Sequence, residues 1–101
     1  MSRHVIETVL FRLKDGISRD DFVKAAETVN GFVAARKGFV SRRLSCTADG
    51  LWIEHIEWAD MTAAKAAAAD LGKTAPNLPF LSAIDEPSVT LHHGNLDVTL
   101  N

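Results

Sequence analysis

Hydrophobic and polar residues alternate most clearly over residues 51–60, which read LWIEHIEWAD. Trp52, Glu54, Ile56 and Trp58 fall on one face of this segment, and Ile53 falls on the other. A period of two is typical of a β-strand, and large apolar groups on both faces are typical of a strand inside a sheet. We therefore predict a central strand here, and its tryptophans and carboxylates make it a candidate part of a functional site.

Three further segments have the same period and are predicted to be strands. They cover residues 4–13, 39–47 and 88–94, the last of them opened by Glu86-Pro87. Charged residues in the second segment favour an edge position in the sheet. The turn sequence Ala48-Asp49-Gly50 predicts a hairpin, which makes the second and third strands antiparallel neighbours.

Two segments are predicted to be helices; the first has the spacing of an amphipathic helix and the second has the high helix propensity of alanine. The first begins after Ser18, a good N-cap, and ends near residue 36. The second covers residues 63–73, is nearly all alanine, and has Asp60 or Thr62 as its N-cap. Residues 74–80 contain two prolines and are predicted to be a loop, with a short turn over 81–84. The tail, residues 96–101, alternates weakly and is predicted to add a strand to a neighbouring chain.

The resulting order, β-α-β-β-α-β, predicts an α+β ferredoxin-like fold. Right-handed crossovers place both helices on one face of a four-stranded antiparallel sheet, with the first and third strands paired in the centre. The opposite face would expose Ile6, Leu10 and Ile53, and an apolar sheet face needs a cover. We predict that a second copy supplies it, which gives a homodimeric α/β barrel.

The composition limits the classes of function. A chain of 101 residues with 47% hydrophobic residues is expected to form one domain over residues 1–101. A net charge of −2 disfavours nucleic acid as a partner. A membrane span is not expected, because no segment approaches about 20 apolar residues. With Cys46 as the single cysteine and no signal peptide, we expect a cytoplasmic protein.

Three stretches give the sequence a family resemblance: FRLKDG at 11–16, KGFVSRRL at 37–44 and WIEHIEWADMTAAKAA at 52–67. With this element order they resemble the dimeric α+β barrel proteins of the antibiotic biosynthesis monooxygenase type, in particular small bacterial members of unassigned function. The resemblance covers residues 7–91. It implies a barrel-forming dimer and a site between the sheet and the helices. The superfamily includes cofactor-free quinone-forming monooxygenases, haem-degrading enzymes, isomerases and binding proteins.

The resemblance also implies which positions of this chain correspond to functional residues of the family. Trp58 matches a tryptophan of the haem-degrading members, whereas their strand asparagine falls on Val9 and their iron-ligating histidine falls near Ala68. Stress-responsive proteins of the same fold have a histidine where this chain has Glu7. With two of the three haem-site residues replaced, the resemblance does not imply haem, and we expect no cofactor.

Glu7 and Glu54 are the first candidate catalytic residues. If the first and third strands are parallel neighbours, both carboxylates lie at similar heights on the helix-facing side. A carboxylate in apolar surroundings can act as a general acid or base. His92 or His93 would approach Glu7 from the last strand, and we take His93 as the third catalytic candidate. The alternative is that each carboxylate is solvated at a sheet end or paired with an arginine.

A slot for a flat apolar ligand is predicted between aromatic residues and the alanine-rich helix. Its candidate substrate-binding residues are Trp58, Phe11, Val9, Trp52 and His92. Ordinary core packing is the alternative for each of them. The four histidines match no standard metal-ligand spacing, so we expect no metal.

Two hypotheses of function follow. In the first, the chain is a cofactor-free monooxygenase-like enzyme acting on a flat aromatic or polyketide-like molecule, with Glu7 or a His–Glu pair removing a proton. In the second, it is a non-catalytic dimer that binds a small ligand or serves a structural role. A buried carboxylate that faces a cavity without an arginine partner favours the enzyme.

Overall fold

The computed structural model describes residues 3–100, and these form a ferredoxin-like α+β fold. Four strands make one antiparallel sheet in the order β2-β3-β1-β4, so β1 and β3 lie in the centre as predicted and β2 lies at an edge. The elements are β1 (Val5–Phe11), α1 (Arg19–Ala34), β2 (Phe39–Cys46), β3 (Trp52–Trp58), α2 (Met61–Leu71), α3 (Leu78–Ser82) and β4 (Thr90–Asn95).

The central strands β1 and β3 are antiparallel, which corrects the parallel arrangement assumed for the two glutamates. The crossover through α1 makes β2 parallel to β1, and β3 is inserted between them by the hairpin. Glu54 therefore lies opposite Val9, and Glu7 lies opposite Ile56. The two glutamates share the helix-facing side but are diagonal to each other.

The core lies between the sheet and the helices. Alternate residues of the two central strands are buried there, among them Val5, Phe11, Trp52 and Trp58. From the first helix come Phe22, Ala26, Val29 and Val33, and from the second Ala64 and Ala67. The ring of Phe22 lies 4.8 Å from that of Trp52 and 5.8 Å from that of Phe11. Such edge-to-face pairs stabilise the core beyond simple burial of area.

The loop predicted over residues 74–80 is wrong. Ala75–Asn77 form a 3-10 turn that leads directly into α3, and Phe80 is buried. Each proline sits at the start of one of these helical pieces, where its missing N–H costs nothing. The ring of Phe80 stacks on that of Phe22 at 5.2 Å, so tertiary packing orders a segment that reads locally as irregular.

Both predicted helix N-caps are present. The Ser18 hydroxyl accepts the backbone N–H of Asp21 at 3.0 Å, and the Asp60 carboxylate, rather than Thr62, accepts that of Ala63 at 2.8 Å. The last strand begins at Thr90, two residues later than predicted, because Glu86–Ser88 form a 3-10 turn. The predicted tail strand ends at residue 101, outside the described part, and residues 96–100 form no strand within one chain.

The β2–β3 hairpin forms as predicted, with Gly50 at φ +89°. The Thr47 hydroxyl donates a hydrogen bond to the Asp49 carboxylate, and Arg12 lies beside the same group. These contacts, the Thr47 bond above all, hold the pKa of Asp49 below its usual value. Separately, no helix within residues 3–100 has both the length and the apolar content needed to cross a membrane.

Gly38→Ala is expected to destabilise the fold by about 2–5 kcal/mol. Gly38 has φ +86°, which costs other residues about 1–2 kcal/mol, and a Cβ there would lie 2.6 Å from the Ala63 Cβ, an overpacking cost of about 1–3 kcal/mol. Gly50→Ala is the matched control, because Gly50 also has a positive φ but its nearest neighbour would be 3.7 Å away. Urea unfolding of both variants measures the difference, and equal losses would contradict the steric explanation.

Candidate active site

A cavity of about 880 Å³ lies between the sheet and the helices. Its walls are mostly apolar, and they include Val9, Phe11, Phe32, Trp58, Ala68 and Leu81. Leu78, Val89 and Leu91 line it and are also exposed, so they form an apolar mouth. Apolar walls with few polar groups are typical of a small-molecule site.

Glu7 faces this cavity and is paired with a histidine. One carboxylate oxygen, Oε1, lies 3.0 Å from Nε2 of His93, which β4 places directly opposite Glu7. Their side chains are 13% and 18% exposed. No arginine or lysine within residues 3–100 forms an ion pair with Glu7, so His93, which is not one of the cavity-lining residues, is the partner that holds this carboxylate.

Only one of the two adjacent histidines faces inward, since neighbours on a strand point to opposite faces. His93 is the inward one. His92 lies opposite Thr8 on the other face of the sheet and is exposed. The prediction that His92 lines the substrate site is therefore wrong.

Glu54 also borders the cavity, but it is held in a buried ion pair. Arg42 donates from Nε to Oε1 of Glu54 at 2.7 Å and from Nη2 to Oε2 at 2.9 Å. The side chains of Arg42 and Glu54 are only 6% and 7% exposed. This is the arginine-paired alternative, so the geometry gives Glu54 a structural role and leaves Glu7 as the carboxylate without an arginine or lysine partner.

Arg42 is a site residue that the sequence interpretation missed. Its third nitrogen, Nη1, donates to the backbone oxygen of Ala26 at 2.7 Å and to Oδ1 of Asn30 at 2.8 Å, so it ties the sheet to α1. In the sequence, the charge of Arg42 indicates only an edge strand. The sequence does contain a signal for this inward position. Arg42 lies two residues before Leu44, so both side chains point toward the helices, and the neighbouring strand β3 carries the Glu54 carboxylate on the same side.

The two tryptophans have different positions. Trp58 lines the cavity and is fully buried, and its indole N–H has no hydrogen-bond partner among the described residues. Trp52, predicted to bind substrate, packs on Phe22 and lines a separate groove of about 370 Å³ beside Arg19. Trp52 is therefore a core residue outside the cavity, because β1–β3 pairing places it at the opposite end of the strand from Trp58.

The cavity lining does not fit a haem. Val9 and Ala68, at the positions matched to the haem-site asparagine and histidine, both line the cavity and supply no metal donor. None of the described lining residues is a histidine, cysteine, tyrosine or methionine, the usual axial ligands of haem iron. Within residues 3–100, no group of three His, Cys, Asp or Glu side chains is placed to hold a metal ion.

Comparison with solved structures places the chain in a known fold. SnoaB, a cofactor-independent oxygenase from Streptomyces nogalater, is similar at 19% identity and a TM-score of 0.70, over 99% of this chain and 97% of that one. A candidate antibiotic biosynthesis monooxygenase from Bordetella bronchiseptica is similar at 10% identity and a TM-score of 0.80, over 96% of this chain and 100% of that one. A dimeric ferredoxin-like protein of unknown function from Thermobifida fusca is similar at 10% identity and a TM-score of 0.74, over 95% and 93%.

No protein-family model matches the sequence, and no curated protein matches it significantly. The similar solved structures show that the chain has the fold of the antibiotic biosynthesis monooxygenase-like proteins, and this confirms the resemblance at the level of structure. At these identities the likeness shows the fold alone, and fold does not determine activity.

Proposed function

We propose that this chain is a cofactor-independent monooxygenase-like enzyme that oxidises a flat aromatic or polyketide-like small molecule. The observation that carries the proposal is the Glu7 carboxylate, which faces an apolar cavity, is hydrogen-bonded to His93 and has no arginine or lysine partner among the described residues. The similarity in fold to a cofactor-independent oxygenase adds support.

The chemistry begins with a proton transfer. Glu7 removes a proton from an activated CH₂ or phenol group of the substrate, and the resulting anion is electron-rich enough to transfer an electron to O₂. The two radicals combine to form a C–O bond, and the peroxide is protonated. Loss of water then leaves a carbonyl. One oxygen atom stays in the quinone, and the other leaves as water with two hydrogens of the substrate: both from the CH₂ carbon, or one from the phenol O–H and one from the ring carbon that is oxidised.

Two neighbouring groups complete the proposed site. His93 orients the Glu7 carboxylate and accepts or returns the proton through the 3.0 Å contact. The indole N–H of Trp58, which lies diagonal to Glu7 on the same face of the sheet, is the donor proposed to hold the substrate oxygen as it gains negative charge. A buried donor without a partner costs free energy, and a ligand oxygen would remove that cost.

The proposal is tested by oxygen uptake with a panel of anthrones and polycyclic phenols. We expect one O₂ consumed for each quinone formed, measured with an oxygen electrode and by quinone absorbance. Binding without oxygen uptake across the panel would contradict the enzyme and favour the non-catalytic ligand-binding dimer. Absence of both binding and uptake would contradict both hypotheses.

Filling the cavity provides a matched pair of variants. Ala68→Leu is expected to lower kcat/KM about tenfold or more, because Ala68 lines the cavity and three added carbons would occupy substrate space. Ala69→Leu is the control, since Ala69 is also exposed on α2 but lies outside the cavity lining. Equal activity of the two variants would place the substrate elsewhere.

We also propose that the chain is a homodimer in which two sheets pack face to face. The face away from the helices carries Ile6, Leu10 and Ile53, and no helix of the described chain packs on it. The similar Thermobifida fusca protein is described as dimeric.

We also propose a cytoplasmic location for the chain, since its single cysteine, Cys46, is free.

Sedimentation equilibrium is expected to give twice the chain mass of 11.0 kDa. Leu10→Asp is expected to give the monomer, because a charge at the centre of the packed face cannot be solvated there. Ile17→Asp, at an exposed loop position away from the sheet, is the control and is expected to remain dimeric. A wild-type monomer at all concentrations would overturn the dimer.

A further inference from the structure

One polar group of the cavity wall has no part in the proposed proton transfer. The Glu54 carboxylate borders the cavity and is buried. Its partners on the two neighbouring strands, Val9 and Leu44, are apolar. Glu54 is therefore a fixed polar group in a wall that is otherwise mostly apolar.

The ion pair with Arg42 uses only part of the hydrogen-bonding capacity of Glu54. An ionised carboxylate has about four acceptor sites, and Arg42 fills one on each oxygen, at 2.7 Å and 2.9 Å. No other residue of the described part of the chain donates a hydrogen bond to either oxygen. About two acceptor sites thus remain on a side chain that is only 7% exposed, and unsatisfied buried acceptors cost free energy.

Arg42 also determines which kind of donor fits these sites. It neutralises the charge of Glu54, and its bonds to the Ala26 backbone oxygen and to Asn30 fix the guanidinium in place. A cation beside this neutral pair would bring another charge into an apolar cavity, and burying a charge is costly. A neutral O–H group would satisfy the acceptor without adding a charge.

Glu54 and Glu7 are placed to contact one ligand at two points. Ile56 lies opposite Glu7 and is two residues from Glu54 on β3, so the glutamates are diagonal neighbours on the helix-facing side. Diagonal neighbours of an antiparallel pair have Cα atoms about 7–8 Å apart. A fused-ring molecule spans this distance, so its reacting carbon can lie at Glu7 while a ring substituent reaches Glu54.

From this we infer that Glu54 accepts a hydrogen bond from a hydroxyl group of the ligand, and that the site thereby selects a hydroxylated polycyclic aromatic over its deoxy analogue. The hydroxyl lies on the ring system away from the carbon that Glu7 deprotonates. Glu54 is then a specificity-determining residue and not a second base, because Arg42 holds both of its oxygens. The inference rests on the aromatic ligand of the proposed function, but it does not require that the ligand be oxidised.

The ligand side of the contact is tested with the wild-type protein. The probes are anthrone, monohydroxyanthrones whose hydroxyl is remote from the carbonyl, and their methyl ethers. Binding under nitrogen is measured by quenching of tryptophan fluorescence, since Trp58 lines the cavity. We expect at least one hydroxyl isomer to bind about tenfold or more tightly than anthrone, and its methyl ether, which cannot donate, to lose that gain. Equal affinities for anthrone and every hydroxyl isomer would overturn the inference.

The protein side is tested with Arg42→Met combined with Glu54→Met, which removes the acceptor without leaving a charge unpaired. We expect the preference for the hydroxyl isomer to fall to within about twofold, because the hydrogen bond is lost. Arg43→Met combined with Glu57→Met is the matched control, since it removes the same residue types from the opposite face of the sheet, and it is expected to keep the preference. A preference that survives in the first variant, or that is lost equally in both, would overturn the inference.

Oxygen uptake with the same compounds separates this inference from the proposed oxidation. A hydroxyl contact made equally in the ground state and the transition state lowers KM and leaves kcat nearly unchanged. Uptake with equal KM for anthrone and all its hydroxyl isomers would keep the oxidation but overturn the role of Glu54. A hydroxyl preference in binding without any oxygen uptake would support the role of Glu54 and contradict the oxidation.

Discussion

Replacement of Glu7 by Gln is expected to lower kcat at least about 100-fold, because general-base catalysis contributes about 10²–10⁴-fold. The amide keeps the size of the carboxylate and still offers an oxygen to His93 at the 3.0 Å contact, but it cannot take a proton. Ligand binding and the fold are therefore expected to persist. Oxygen uptake under saturating substrate measures the loss, and equilibrium binding of the substrate under nitrogen measures the affinity.

The matched control is a second glutamate–histidine pair in the same sheet. His4 and Glu57 lie 2.6 Å apart on the opposite face, away from the cavity. Glu57→Gln removes the same kind of contact, but it is expected to leave turnover unchanged because Glu57 does not line the cavity. If Glu57→Gln lowered turnover as much as Glu7→Gln does, the loss would reflect sheet structure, and Glu7 would not be the base.

His93→Gln separates positioning of the carboxylate from catalysis itself. We expect an intermediate loss of about tenfold in kcat, since Glu7 remains as the base but loses the imidazole that orients it. A kcat equal to that of the wild type in this variant would remove His93 from the mechanism.

Arg42→Met is expected to cost about 3–5 kcal/mol of the free energy of unfolding. The substitution leaves the Glu54 carboxylate buried without a partner, and breaking a buried ion pair from one side costs that much. It also removes the bond that the Ala26 backbone oxygen accepts. For a domain of this size the melting temperature is expected to fall by more than about 12 °C. Guanidinium unfolding monitored by tryptophan fluorescence measures the change.

Two variants test the cause of this loss. Arg43→Met, one residue further along β2, removes an exposed arginine on the opposite face and is expected to change stability by less than about 0.5 kcal/mol. Adding Glu54→Met to Arg42→Met removes the stranded carboxylate and is expected to restore most of the stability. A double variant as unstable as Arg42→Met alone would show that packing, rather than the unpaired charge, causes the loss.

The local pattern of residues was sufficient to predict the four strands and the two longer helices. Alternation over residues 51–60 indicated the central strand because large apolar side chains lie on both of its faces. Ser18 and Asp60 marked helix starts through hydrogen bonds made within a few residues. Local pattern failed for residues 74–80, where Pro76 and Pro79 suggest a loop. There the helical conformation depends on Phe80 stacking on Phe22, a contact between residues 58 positions apart.

By itself the sequence determined the order of strands and helices, the face that each strand residue takes, and the presence of Glu7 and Trp58 on the helix-facing side. Those properties depend on periodicity, which is local. Only the tertiary structure decided which groups meet. The strand register places His93 rather than His92 beside Glu7, and it places Arg42 beside Glu54. Local periodicity could not predict these contacts, because they join residues 12 to 86 positions apart. The cavity-facing carboxylate that has a histidine rather than an arginine as its partner is thus a product of register.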